Sequence, residues 1–144
     1  MIEQDTIKLL RECDAGVKMG IASIDDVIDY VESDKLKESL NKCKDKHEEL
    51  AKRIEHLLDE FHDDGKEPNP IAKGMSWIKT NMKLMMNESD STIADLMTEG
   101  CNMGVKSLNE YLNKYEAADE QAKNITKDLI RIEDDLVKEI RKYL

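Results

Sequence analysis

The chain has 144 residues, 38% of them charged, 4% aromatic and only two prolines, and Val, Ile and Thr do not alternate along it; this excludes a sheet protein and predicts one all-α domain spanning residues 1–144. A formal charge of −10 excludes nucleic acid and anionic membrane as expected partners, since an acidic surface attracts neither. Three cysteines without framework spacing, no basic-then-apolar leader and no apolar run near 20 residues predict reduced thiols in a cytoplasmic protein.

The first helix is expected to start near Asp5 or Thr6. Its apolar seam runs in steps of three and four through Ile7, Leu10, Asp14, Val17, Ile21, Ile24, Ile28 and Val31, flanked by Leu9 and Val27. Gly16 and Gly20, four apart, would let another helix approach closely, and each costs about 1 kcal/mol against Ala inside a helix. Ser33-Asp34 supplies an N-cap for the second helix, with Glu38 about where a capping-box acid would sit. A connection this short makes the two helices antiparallel.

The second helix carries Leu36, Leu40, Cys43, His47, Leu50, Ile54, Leu57 and Phe61 on one seam, of which only His47 is strongly polar. Asp63-Asp64-Gly65 ends it, and Pro68 and Pro70 mark a linker. A shorter helix is expected from about Ile71 to Asn87, with Ile71, Met75, Ile78, Met82 and Met85 on one face. The next long helix, about Ser91 to Tyr115, carries Ile93, Met97, Cys101, Gly104, Leu108, Tyr111 and Tyr115. The last turns Ala122, Ile125, Leu129, Ile132, Leu136, Ile140 and Tyr143 inward. Between the second and third long helices lies a crossover of about residues 64–90, long enough to carry the chain back along the whole bundle. Those two helices can then run parallel.

This helix order, with Gly74-Met75-Ser76-Trp77 in the crossover and an acidic-then-Tyr pattern ending at Tyr111-Leu112, resembles the ferritin-like superfamily. It is similar to a small bacterial family of ferritin-like domains with no assigned function. The resemblance implies a ferritin-like four-helix bundle with a short helix in its long crossover. It also implies a di-iron site of one Glu from each of two helices and a Glu-x-x-His from each of the other two. The chain departs from that pattern. Lys44, Arg53 and Asp59 precede His47, His56 and His62 by three, the last helix has no histidine, and the acid expected before Tyr111 falls near Gly104.

Register arithmetic offers other candidates. A turn at Ser33-Asp34 sets His47 level with Gly20, which leaves room for an imidazole, and Asp14 level with Arg53, its expected partner unless it bonds water. A turn near Glu116-Ala117 sets Glu99 level with Asp134. Cys43, His47, Glu99, Cys101 and Asp134 then form a candidate mid-bundle metal cluster, whose thiolates and imidazole favour zinc or copper(I) over iron. The competing reading is a core histidine satisfied by an acid or water, with cysteines packed as small apolar groups. The methionines Met75, Met82, Met85, Met86, Met97 and Met103 read as gap fillers between helices, and Trp77 as core-edge packing or a dimer contact. No serine–histidine pair, phosphate loop or Cys-x-x-Cys appears.

The expected function is therefore a non-enzymatic, self-associating binding or assembly module with a degenerate di-iron site and no cofactor. The alternative is a metal-binding, oxidase or storage protein holding a single iron, zinc or copper ion in an altered ligand set.

Overall fold

The computed structural model describes residues 2–67 and 89–144, and among these every regular element is helical. Four long helices follow one another: α1 (Ile2–Val27), α2 (Asp34–Glu60), α3 (Asp90–Lys114) and α4 (Glu120–Ile140), with single 3-10 turns at Ile28–Tyr30 and Arg141–Tyr143. The expected crossover helix, its methionine face, Trp77 and the Gly74-Met75-Ser76-Trp77 stretch lie outside the described residues. No helix among the described residues is long and apolar enough to cross a membrane.

The starts of α2, α3 and α4 obey cap chemistry. Ser33 Oγ accepts from Leu36 N–H at 3.3 Å, Ser89 Oγ from Thr92 N–H at 3.2 Å, and Asp119 from Ala122 N–H at 2.9 Å. The expected capping-box role of Glu38 is replaced: Ser33 N–H donates instead to Asp90 at 3.0 Å, and Glu32 N–H to the same carboxylate at 2.8 Å. A residue 57 positions away thus supplies what a local acid was expected to supply, and it pins the first turn of α3 to the first turn of α2.

That contact fixes the topology, and the core agrees with it. One apolar cluster joins the end of α1 (Ile24, Val27), the start of α2 (Leu36, Leu40), the start of α3 (Ile93, Leu96) and the end of α4 (Leu136, Ile140). The other joins the start of α1 (Leu9, Leu10), the end of α2 (Ile54, Leu58), Leu108 late in α3 and the start of α4 (Ile125, Leu129). Hence α2 and α3 run parallel, α1 and α4 run parallel, and the connection between α2 and α3 must return the full length of the molecule.

Burial follows the expected seams with a rotation. In α2 the buried set is Leu36, Leu40, Cys43, His47, Leu50, Ile54 and then Leu58; Leu57 and Phe61 are half-buried. A strict three-four pattern averages 3.5 residues per turn and the helix 3.6, so after several turns the inward position slips by one. In α1, which begins earlier than expected at Ile2, the core takes Thr6, Leu9, Leu10, Cys13, Val17, Ile24 and Val27, while Ile7, Ile21 and Ile28 are half-buried. Cys13, unassigned in the sequence reading, is fully buried with its sulfur 3.2 Å from Thr126 Oγ1.

The α1–α2 side also holds the chain leaving α2. Lys66 N–H donates to Asp14 at 2.9 Å, Lys66 Nζ pairs with Glu12 at 2.6 Å, and Lys18 pairs with Asp14 at 2.9 Å and Glu67 at 3.0 Å. The expected Asp14–Arg53 pair does not form, because Arg53 reaches across to Asp128 on α4 at 3.2 Å. Gly65 between them has φ of 86°, a left-handed conformation, and a Cβ there would collide with the Asp14 carboxylate.

Candidate functional site

α1 packs closely along α2, and α3 along α4, but α1 and α3 face each other more loosely. Between them opens a cavity of about 370 Å³. Its walls are small or flexible: Gly16, Gly20, Gly100 and Gly104 with Met19, Met97 and Leu108. Four of the chain's six glycines stand here, in helix interiors where each lowers helix stability by about 1 kcal/mol relative to Ala.

Polar groups sit at the back of this cavity. His47, 2% exposed, points from α2, and Glu133, 8% exposed, points from α4. Each is seated by a glycine opposite. A Cβ on Gly20 would lie 2.6 Å from His47 Nε2, and a Cβ on Gly104 would collide with the Glu133 carboxylate. His47 Nδ1 is 2.8 Å from the Cys43 carbonyl oxygen, which can only accept, so Nδ1 carries a proton. Cys43 Sγ lies 3.5 Å from the same nitrogen. The other ring nitrogen makes no such bond: His47 Nε2 is 4.0 Å from Glu133 Oε1, too far for a hydrogen bond. Both Nε2 and Glu133 Oε2 are buried without a hydrogen-bonding partner among the described residues.

Burial works against the imidazolium, yet the Cys43 thiol, the Glu133 carboxylate and the Cys43 carbonyl outweigh it and raise the His47 pKa to about 10. Burial likewise raises the pKa of Glu133, with His47 opposing that rise. An imidazolium at His47 and the Glu133 carboxylate thus face each other as opposite charges, each favouring the charged form of the other.

Of the five expected site residues, the structure brings Cys43, His47 and Cys101 to this cavity. Glu99 and Asp134 instead face solvent, so the expected five-residue cluster does not assemble. Burial raises the Cys101 pKa, helped by the nearby Glu133 and Cys43, and keeps that thiol protonated. Among the described residues no group of three or more His, Cys, Asp and Glu side chains converges at metal-binding spacing. Sequence reasoning missed Glu133. From Leu129 to Leu136 the three-four rule is satisfied by either Ile132 or Glu133, and hydropathy alone selects Ile132, which is only half-buried. The available signal was Gly104, the space into which the carboxylate reaches.

No family model, curated protein or solved structure matches the chain. Its function rests on this geometry.

Proposed function

We propose that the protein is a non-enzymatic binding module on a ferritin-like plan, in which the place of a di-iron centre has become a pocket for a small organic molecule. The observation that carries the reading is the cavity of about 370 Å³ with His47 Nε2 and Glu133 Oε2 buried at its back and without a hydrogen-bonding partner among the described residues. Buried polar groups are nearly always hydrogen-bonded, and a pocket of this size with apolar walls and few convergent polar atoms suits a small ligand.

The ferritin-like part draws support from topology and from the residues around the pair. Parallel α2 and α3 need a long crossover, as in ferritin-like bundles. That plan places a single Glu on two helices and Glu-x-x-His on the other two. The corresponding positions here read Gly20 on α1, Lys44-x-x-His47 on α2, Gly104 on α3 and Glu133-x-x-Leu136 on α4. Half of each paired motif survives, and two glycines leave space opposite them.

The test is binding of N-phenyl-1-naphthylamine, an uncharged fluorescent apolar probe. One probe per chain should bind the wild type. Ala15→Phe, which extends a side chain lining the cavity into it, should abolish binding while circular dichroism is unchanged. Probe binding that Ala15→Phe leaves intact would refute the pocket.

A further inference from the structure

We infer that the pocket selects an uncharged amphipathic molecule with a single head group that both donates and accepts a hydrogen bond, an alcohol or phenol hydroxyl above all. The inference rests on the binding reading above and adds the chemistry of the ligand.

His47 Nε2 and Glu133 Oε2 are buried at the cavity without a partner among the described residues. Nδ1–H is committed to the Cys43 carbonyl, and a single proton shared by Nε2 and the Glu133 carboxylate would have two places to sit. If it sits on the imidazole, Nε2–H is the donor and Glu133 the acceptor. If it sits on the carboxyl, Glu133 O–H is the donor and Nε2 the acceptor. Either way the back of the cavity presents one donor and one acceptor, and a hydroxyl, which rotates freely, satisfies both arrangements. The spacing fits as well. His47 Nε2 and Glu133 Oε1, 4.0 Å apart, do not bond directly, but an oxygen about 2.8 Å from each would bridge them with an angle near 90°.

Charged heads fare worse. An imidazolium–carboxylate pair is already balanced, so a carboxylate or ammonium would bring an uncompensated charge among largely apolar walls, where desolvation is expensive. Lys66, the ammonium at the cavity's edge, is held by Glu12 at 2.6 Å and is not available to an anion. The pocket lies at the small end of the range for ligand sites, which limits the body to two or three rings or a medium alkyl chain.

The experiment varies the head on one chain. 1-Octanol, octyl methyl ether, octanoate and octylamine compete against N-phenyl-1-naphthylamine on the full-length protein. 1-Octanol should displace the probe at least about tenfold more tightly than each of the other three. The ether is a stringent control, because it accepts but cannot donate and is the more apolar of the two. His47→Leu should bring 1-octanol and the ether to within about twofold of each other. Equal affinities across the series, a preference for either charged head, or no displacement by 1-octanol from a protein that binds the probe would overturn the ligand class while leaving the pocket standing. Zinc(II) chloride displacing the probe in wild type but not in His47→Leu would overturn it in favour of a metal. Failure of the probe itself to bind would remove the pocket, a different result. Should His47→Leu not fold, the head-group order in the wild type decides alone.

Discussion

Gly20 and Gly16 occupy the same face of α1 one turn apart, yet they answer to different neighbours. A Cβ on Gly16 would meet only Leu129, at 3.6 Å, an ordinary contact; a Cβ on Gly20 would press on the His47 ring at 2.6 Å. Gly16→Ala should therefore stabilise the protein by about 0.5–1 kcal/mol through helix propensity, and Gly20→Ala should destabilise it by about 1–3 kcal/mol through overpacking. Urea denaturation of the two variants checks the opposite signs. The buried pair makes a second prediction at this scale. The folded pKa of His47 lies above its ordinary 6.5, so its stabilisation is complete below pH 6.5 and is lost as pH rises through about 10. Glu133→Gln removes the anion that supports the imidazolium. The stability difference between wild type and Glu133→Gln should shrink between pH 6.5 and 10, and an NMR titration should find the His47 pKa lowered in the variant.

Among the elements, the ends of helices do more to fix the topology than their middles. Asp90 is the first residue of α3 but serves backbone donors of Glu32 and Ser33 at the entrance to α2. Removing the carboxylate leaves two N–H groups without their partner, and Asp90→Ala should cost about 1–3 kcal/mol. Hydrogen exchange should accelerate first at Glu32 and Ser33, whereas a merely local cap would show its loss within α3. At the other end of α2 the chain turns with His62 at φ of 55°, and Asp63 N–H returns to the Leu58 carbonyl at 3.0 Å, a closure that satisfies the last helical carbonyls. From there Gly65 N–H donates to Asp63, and Lys66 and Glu67 are tied back onto Asp14, Glu12 and Lys18 of α1.

For the whole molecule, the proposed ferritin-like plan makes a constructive prediction. If Gly20, Lys44, Gly104 and Leu136 stand where that plan puts metal ligands, then Gly20→Glu, Lys44→Glu, Gly104→Glu and Leu136→His combined should create a site beside His47 and Glu133. Cobalt(II) titration should then reach two ions per chain, with visible bands absent from the wild type. A folded, fully helical variant without such bands would count against the plan.

The number of long helices, the cap at Ser33, the seam from Leu36 to Ile54, the antiparallel pairing of α1 with α2 and the placing of Gly20 against His47 were all legible in the sequence. Each follows from local rules: periodicity, side-chain competition for the first backbone donors, and rise per residue across a short turn. What tertiary structure decided is what local rules leave degenerate. Whether Ile132 or Glu133 turns inward and whether Leu57 or Leu58 closes the core are choices between adjacent positions on a helix that differ by about 100°, and whether Asp14 meets Arg53 or Lys66 depends on where the chain beyond α2 returns. A sequence seam fixes a stripe to within one residue, but a site needs the residue itself. Here the choice fell to the space left by Gly104, which admits a carboxylate from the facing helix and brings it to the one imidazole of the α2 seam.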